Sequence, residues 1–215
     1  MKRYLYSVLI FLITPLLAGP YQSKDYSYLF GKLDGISTPL LKMHITLYQG
    51  YVKNSNALED ALTDMREKGE DRTIAYGALK RRFGWEYDGM VLHELYFENL
   101  GKEHPLSSKS LLYQKIVRDF GSFENWRKDF LATGMIRGIG WVILYEDPTN
   151  GILHNVWVDE HNINHLAGGK PLLVMDVWEH AYLTEYGLNR EGYLDAFYKN
   201  INWDIVQKRL SLSDI

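Results

Sequence analysis

The hydrophobic period of this chain changes part-way along, and that change restricts the fold more than any other feature. Leu40, Leu41, His44, Leu47, Tyr48, Tyr51 and Val52 recur at steps of three and four, which marks a helix with one buried face. A polar stretch from Asn54 to Asp71 intervenes. A second helical pattern then runs from about Arg72 through Leu92, His93, Tyr96 and Phe97 to Leu100, so the two make a helical hairpin. Gly101, Pro105, Ser107 and Ser108 form a break of turn-forming composition, the natural place for a domain boundary. Beyond it lie a helix containing Trp126 and a turn at Gly138-Ile139-Gly140. An apolar run from Trp141 to Tyr145 follows, and Asp147-Pro148-Thr149-Asn150-Gly151 closes it. These read as strand, turn and a second strand over about 152–158. A third strand is expected over 172–176, with helices from Trp178 to the end. Such a succession of helices and then strands with helices is an α+β chain in two domains, 19–103 and 104–215.

Residues 1–18 are set apart from this pattern. Lys2 and Arg3 precede an almost unbroken apolar run from Tyr4 to Leu17, and small Ala18 and Gly19 follow. That order reads as an export signal cut after Ala18, with Pro15 near its end. The run is shorter than the roughly 20 apolar residues of a membrane-spanning helix. An uncleaved membrane anchor and a buried first helix are the other readings of the segment. The expectation is a protein exported to the periplasm or medium, and off the membrane once cleaved.

No cysteine occurs among the 215 residues, which excludes disulfides, thiolate metal sites and cysteine nucleophiles. Any metal must therefore be held by His, Asp, Glu or Tyr. The net charge of −3, with Lys and Arg scattered among acids, argues against a nucleic-acid partner. G-x-S-x-G, P-loop and G-x-G-x-x-G motifs are absent. His93-Glu94 does not complete a zinc-hydrolase H-E-x-x-H, because residue 97 is Phe.

The strongest local signal is Asp176-Val177-Trp178-Glu179-His180, where a carboxylate and an imidazole four residues apart can converge if the chain turns helically after a strand. Taken alone, an Asp capping a turn beside a surface His explains the same spacing. His44 and His93 each sit on an apolar helical face, the usual setting of a hydrogen-bonded core histidine. Three imidazoles and one carboxylate without a thiolate suit iron, manganese or zinc. A zinc hydrolase built on them would also need a general base and a substrate cleft, for which no signal is present.

Asp176-Val177-Trp178-Glu179-His180-Ala181-Tyr182 resembles the signature of the iron/manganese superoxide dismutases. The likeness extends to Gly138–Trp141, the segment around His93, Gly192-Tyr193-Leu194 and Asn202-Trp203. It implies an N-terminal helical hairpin packed on a C-terminal α/β domain with a three-stranded antiparallel sheet. The metal would be one iron or manganese ion per subunit on His44, His93, Asp176 and His180, with superoxide as substrate. Tyr51 matches the family's gateway Tyr. Where iron enzymes often place a Gln beside the metal-bound solvent, this chain has Gly89, and His161 aligns with the alternative donor position, which tilts the metal towards iron or use of either ion. Trp141, Trp178 and Glu179 match positions around the metal, Glu179 being the residue that reaches the partner subunit's metal-binding His in a homodimer.

Two departures accompany the likeness. Six residues separate His44 from Tyr51, one fewer than usual. A customary His on this helix is replaced by Leu47 or Tyr48, and its customary Tyr partner across the dimer by Leu183, so both halves of one hydrogen-bonded pair are gone together. A non-catalytic, metal-holding dimer of the same fold is the alternative to an enzyme.

Overall fold

The computed structural model describes residues 19–102 and 105–211. The expected export signal, residues 1–18, lies outside them. So do Glu103 and His104, which flank the domain boundary expected from the sequence.

Helix α1 spans Thr38–Glu67 and α2 spans Ile74–Glu98, and the two lie along each other as the expected hairpin. Their starts are written in the sequence. Ser37 accepts the Leu40 N–H, with Pro39 in the first turn, and Thr73 accepts the Tyr76 N–H. The polar stretch expected to interrupt the hairpin is mostly helix. α1 continues to Glu67, and Lys68–Thr73 alone makes the turn. Ala, Leu, Glu and Met favour the helix there, and Ser55 and Leu62 suffice to line its buried side. α1 passes from His44 to Tyr51 as regular α-helix.

The second half carries α3 (Leu111–Phe120) and α4 (Phe123–Gly134), then three seven-residue strands: β1 (Gly140–Glu146), β2 (Leu153–Asp159) and β3 (Lys170–Asp176). They form an antiparallel sheet in the order β2-β1-β3. Central β1 is buried along its whole length, which is why its sequence is an unbroken apolar run instead of an alternating one. Register places Trp141 opposite both Val158 and Asp176. Gly140 is required at the entry to β1, since a Cβ there would stand 2.0 Å from the Val158 carbonyl oxygen. A short helix α5 (Leu183–Tyr186), then α6 (Arg190–Lys199) and α7 (Trp203–Ser211) complete the fold. The fold is therefore α+β as expected.

The hairpin is joined to the sheet through buried Asn99 at the end of α2. Its side chain accepts the Val174 N–H at 2.9 Å and donates to the Val174 and Tyr96 carbonyls at 3.2 and 2.8 Å. Arg209 of α7 donates to Asn99 Oδ1 at 3.2 Å, to the Leu172 carbonyl at 2.9 Å and to the Leu95 carbonyl at 2.8 Å. Asn99 thus acts as a polar extension of β3, six residues from His93 and close to Asp176. Asn99→Ala leaves the Val174 amide and the Arg209 guanidinium short of a partner in the core. It should lower unfolding stability by about 2–3 kcal/mol, read from urea unfolding against the unaltered protein.

Candidate metal centre

Asp176 is the last residue of β3, and the chain turns sharply after it. Its Oδ1 accepts the Trp178 N–H at 2.8 Å, so the local capping role is real. Its Oδ2 faces elsewhere: His44 Nε2 lies at 3.0 Å, His180 Nε2 at 3.1 Å and His93 Nε2 at 3.6 Å. A 3-10 turn, Glu179–Ala181, swings His180 back towards the carboxylate. The Tyr193 hydroxyl donates to the Asp176 carbonyl at 2.7 Å and fixes the backbone at the bend. One ligand atom from each of His44, His93, Asp176 and His180 lies within 4.8 Å of all the others, a spread that a single metal ion can bridge. His44, His93 and Asp176 are 0–1% exposed.

One atom shows that the donor set fits a cation. His93 Nδ1–H donates to the Gly89 carbonyl at 2.5 Å, which leaves the Nε2 lone pair pointing into the cluster. That buried nitrogen has no hydrogen-bond partner, and a metal ion would satisfy it. The electrostatics agree. Burial pushes His44 and His93 below the usual histidine range, against the pull of Asp176, so both are neutral and able to ligate. Burial alone would raise Asp176, but the adjacent His180 and His44 hold it well below the ordinary carboxylate range.

Beside this cluster His161 is fully buried. Trp141 Nε1–H, which can only donate, bonds His161 Nδ1 at 3.1 Å. The single proton of neutral His161 is therefore on Nε2, directed at the Tyr51 hydroxyl 2.8 Å away. Tyr51 in turn lies 5.0 Å ring to ring from His93. Trp178 stacks on His161 at 4.6 Å and on His180 at 5.7 Å. Gly89 explains itself here: a Cβ would meet Tyr51 Cδ1 at 2.9 Å and His161 Cδ2 at 3.2 Å, so those two rings already fill the space a side chain would need. The structure thus brings together all the expected site residues except Glu179, which is exposed beside His180.

The remaining histidines and one tryptophan complete the surroundings. His165 holds the His161 loop, with Nε2 2.8 Å from the His161 carbonyl and Nδ1 2.7 Å from the Tyr145 hydroxyl. His154 is exposed, and His104 lies outside the described residues. Trp85, 4.5 Å from the His161 ring, closes the other side. Only its place on the α2 face, eight residues before His93, could have suggested it.

Comparison with known proteins agrees with this geometry. Residues 108–209 match the family model for the C-terminal domain of iron/manganese superoxide dismutases. The chain is 36% identical to an iron superoxide dismutase of Cupriavidus metallidurans over 194 residues, 89% of this chain and 96% of that one. It is 38% identical to an iron enzyme of Aquifex pyrophilus over 185 residues, covering 82% and 85% of the two chains. A manganese superoxide dismutase of Haloferax volcanii is 39% identical over 161 residues, 75% of this chain and 79% of its own. The chain belongs to the iron/manganese superoxide dismutase family.

The depressed histidines have a consequence for stability. Burial holds His161 down at about 4, while the unfolded chain titrates near 6.5. As pH falls, the unfolded state takes up protons first, so the stabilisation is complete above about 6.5 and is lost on the way down to 4. For His161 alone this is on the order of 3 kcal/mol. Unfolding of metal-free protein followed from pH 7 to 4 should show this decline, and His161→Gln should make it shallower.

Proposed function

We propose that the four converging residues hold one iron or manganese ion per subunit and that Tyr51 and His161 manage the protons of superoxide dismutation. The observation that carries this reading is the unpartnered His93 Nε2 facing a buried carboxylate and two further imidazoles. The net reaction takes two superoxide ions and two protons to dioxygen and hydrogen peroxide. When bound, the metal supplies one-electron oxidation and reduction in alternation. The surrounding residues bind it, exclude bulk water and place the protons. Trp141 fixes the His161 tautomer, His161 donates to Tyr51, and the Tyr51 O–H is left to donate onward to solvent or substrate. Burial raises the Tyr51 hydroxyl pKa, so it stays protonated in the working pH range.

The metal reading extends to iron or to use of either ion, supported by the His161 and Gly89 pairing at the position that otherwise carries Gln. Assembly as a homodimer around Glu179 and His180 is supported by the exposed carboxylate of Glu179. Met43, Leu47 and Leu183, 36–42% exposed, offer apolar surface on α1 and after the signature. Export is supported by Lys2, Arg3 and the apolar run that follows. Among the described residues no helix is long and apolar enough to cross a membrane.

His44→Ala should abolish stoichiometric iron and manganese uptake, measured by elemental analysis. His161→Ala should keep the metal but lower turnover about 10- to 100-fold. Unchanged turnover in fully metallated His161→Ala protein would remove His161 from the proton path, and full occupancy of the unaltered protein without turnover would favour a structural metal.

A further inference from the structure

The route to Tyr51 from outside is a small open cavity of about 200 Å³ lined by Leu47, Tyr51, Asn54, Arg82, Trp85 and Glu86. Its charges are unexpected for an enzyme whose substrate is an anion. Glu86 is 2% exposed, yet its carboxylate stands in this wall, near enough to raise the Tyr51 pKa. A second carboxylate, exposed Glu160, accepts the Trp85 Nε1–H at 3.0 Å. Among the described residues lining the cavity, Arg82 is the one cation. Its Nε and Nη2 donate to Glu86 Oε1 at 2.8 and 2.5 Å, while Asn54 donates to Oε2 at 3.2 Å. The guanidinium also lies over the Trp85 ring, 4.0 Å from its centroid. The Arg82 side chain is 53% exposed, so the pair is a dipole whose negative end is inside the wall and whose positive end faces the solvent.

We propose that the Arg82–Glu86 pair sets the charge of the entrance: Arg82 cancels the buried carboxylate and presents the positive end that draws superoxide to Tyr51. Buried Glu86 and the Trp85 face hold the guanidinium in place, because a fork bonded to a carboxylate and stacked on a ring loses most of its rotameric freedom. With Arg82 removed, the cavity wall keeps the uncompensated Glu86 carboxylate, with Glu160 bonded to the Trp85 indole beside it, and repels the substrate. A narrow low-dielectric entrance magnifies such a change, since clefts focus the field of the charges that line them. The inference rests on superoxide as the substrate and on Tyr51 lining the way in, and it does not depend on which metal is bound.

The test compares Arg82→Gln, Glu86→Gln and the double variant, each metallated and checked for folding by thermal melting. The second-order rate constant for superoxide is measured as a function of ionic strength. The rate for the unaltered enzyme should fall as salt is added, as it does for attracted partners. Arg82→Gln should be about tenfold slower at low salt, with a rate that rises on adding salt. Glu86→Gln should be faster than the unaltered enzyme at low salt, and the double variant should recover to within about threefold of it. A slow double variant, or an Arg82→Gln variant with unchanged rate and salt slope, overturns the proposal. If Arg82→Gln does not fold, Glu86→Gln decides alone, and an unchanged low-salt rate counts against the proposal. An unaltered protein that takes up metal but has no turnover would instead refute the enzymatic reading.

Discussion

The carboxylate of Asp176 is the constraint around which the molecule is organised. An ionised group with no exposure at the end of β3 is expensive to bury, and only close partners make it tolerable. Three of those partners come from elsewhere in the chain: His44 from α1, His93 from α2 and His180 from the turn that follows. None of these segments could be displaced without leaving charge or a lone pair unsatisfied in the core. The sheet register that sets Trp141 opposite Asp176 and the Asn99–Arg209 clasp that ties α2 to β3 both serve to hold these groups at a common point.

Around that point the side chains make a set of mutually dependent choices. Gly89 has no side chain, and the rings of Tyr51 and His161 occupy its space. His161 is neutral because it is buried, and its proton is placed by a donor, Trp141, that cannot accept. The shortened interval from His44 to Tyr51 is accommodated by regular helix, since seven residues bring a side chain back to nearly the same face. Tyr48, one of the two residues that could stand in for the customary His, has a different task. Its hydroxyl donates to Glu94 and accepts the Lys24 N–H, anchoring the start of the described chain against the hairpin.

Much of this was legible in the residues. The two apolar helical faces, the unbroken run of β1 and the turn chemistry at Asp147–Gly151 carry local signals with a fixed period, and strands and helices were found where those signals lay. The metal-binding set was legible because its most informative part is contiguous, from Asp176 to Tyr182. What sequence reading missed is long-range or locally ambiguous. α1 continues through 54–67, where polarity concealed a thin buried side formed by Ser55 and Leu62. Asn99 and Arg209 lie 110 positions apart, and nothing about either residue alone announces the other. The Arg82–Glu86 pair has ordinary helical spacing, and only its burial beside Tyr51 distinguishes it from a surface pair.

The central claim, that His44, His93, Asp176 and His180 form a redox metal centre, is tested most directly by titrating metal-free protein with iron or manganese while following dismutation. Activity should rise in proportion to bound metal and level off at one ion per chain with at least one of the two metals. Full occupancy with each metal in turn and no dismutation with both, or dismutation that does not change with the amount of metal bound, would contradict it.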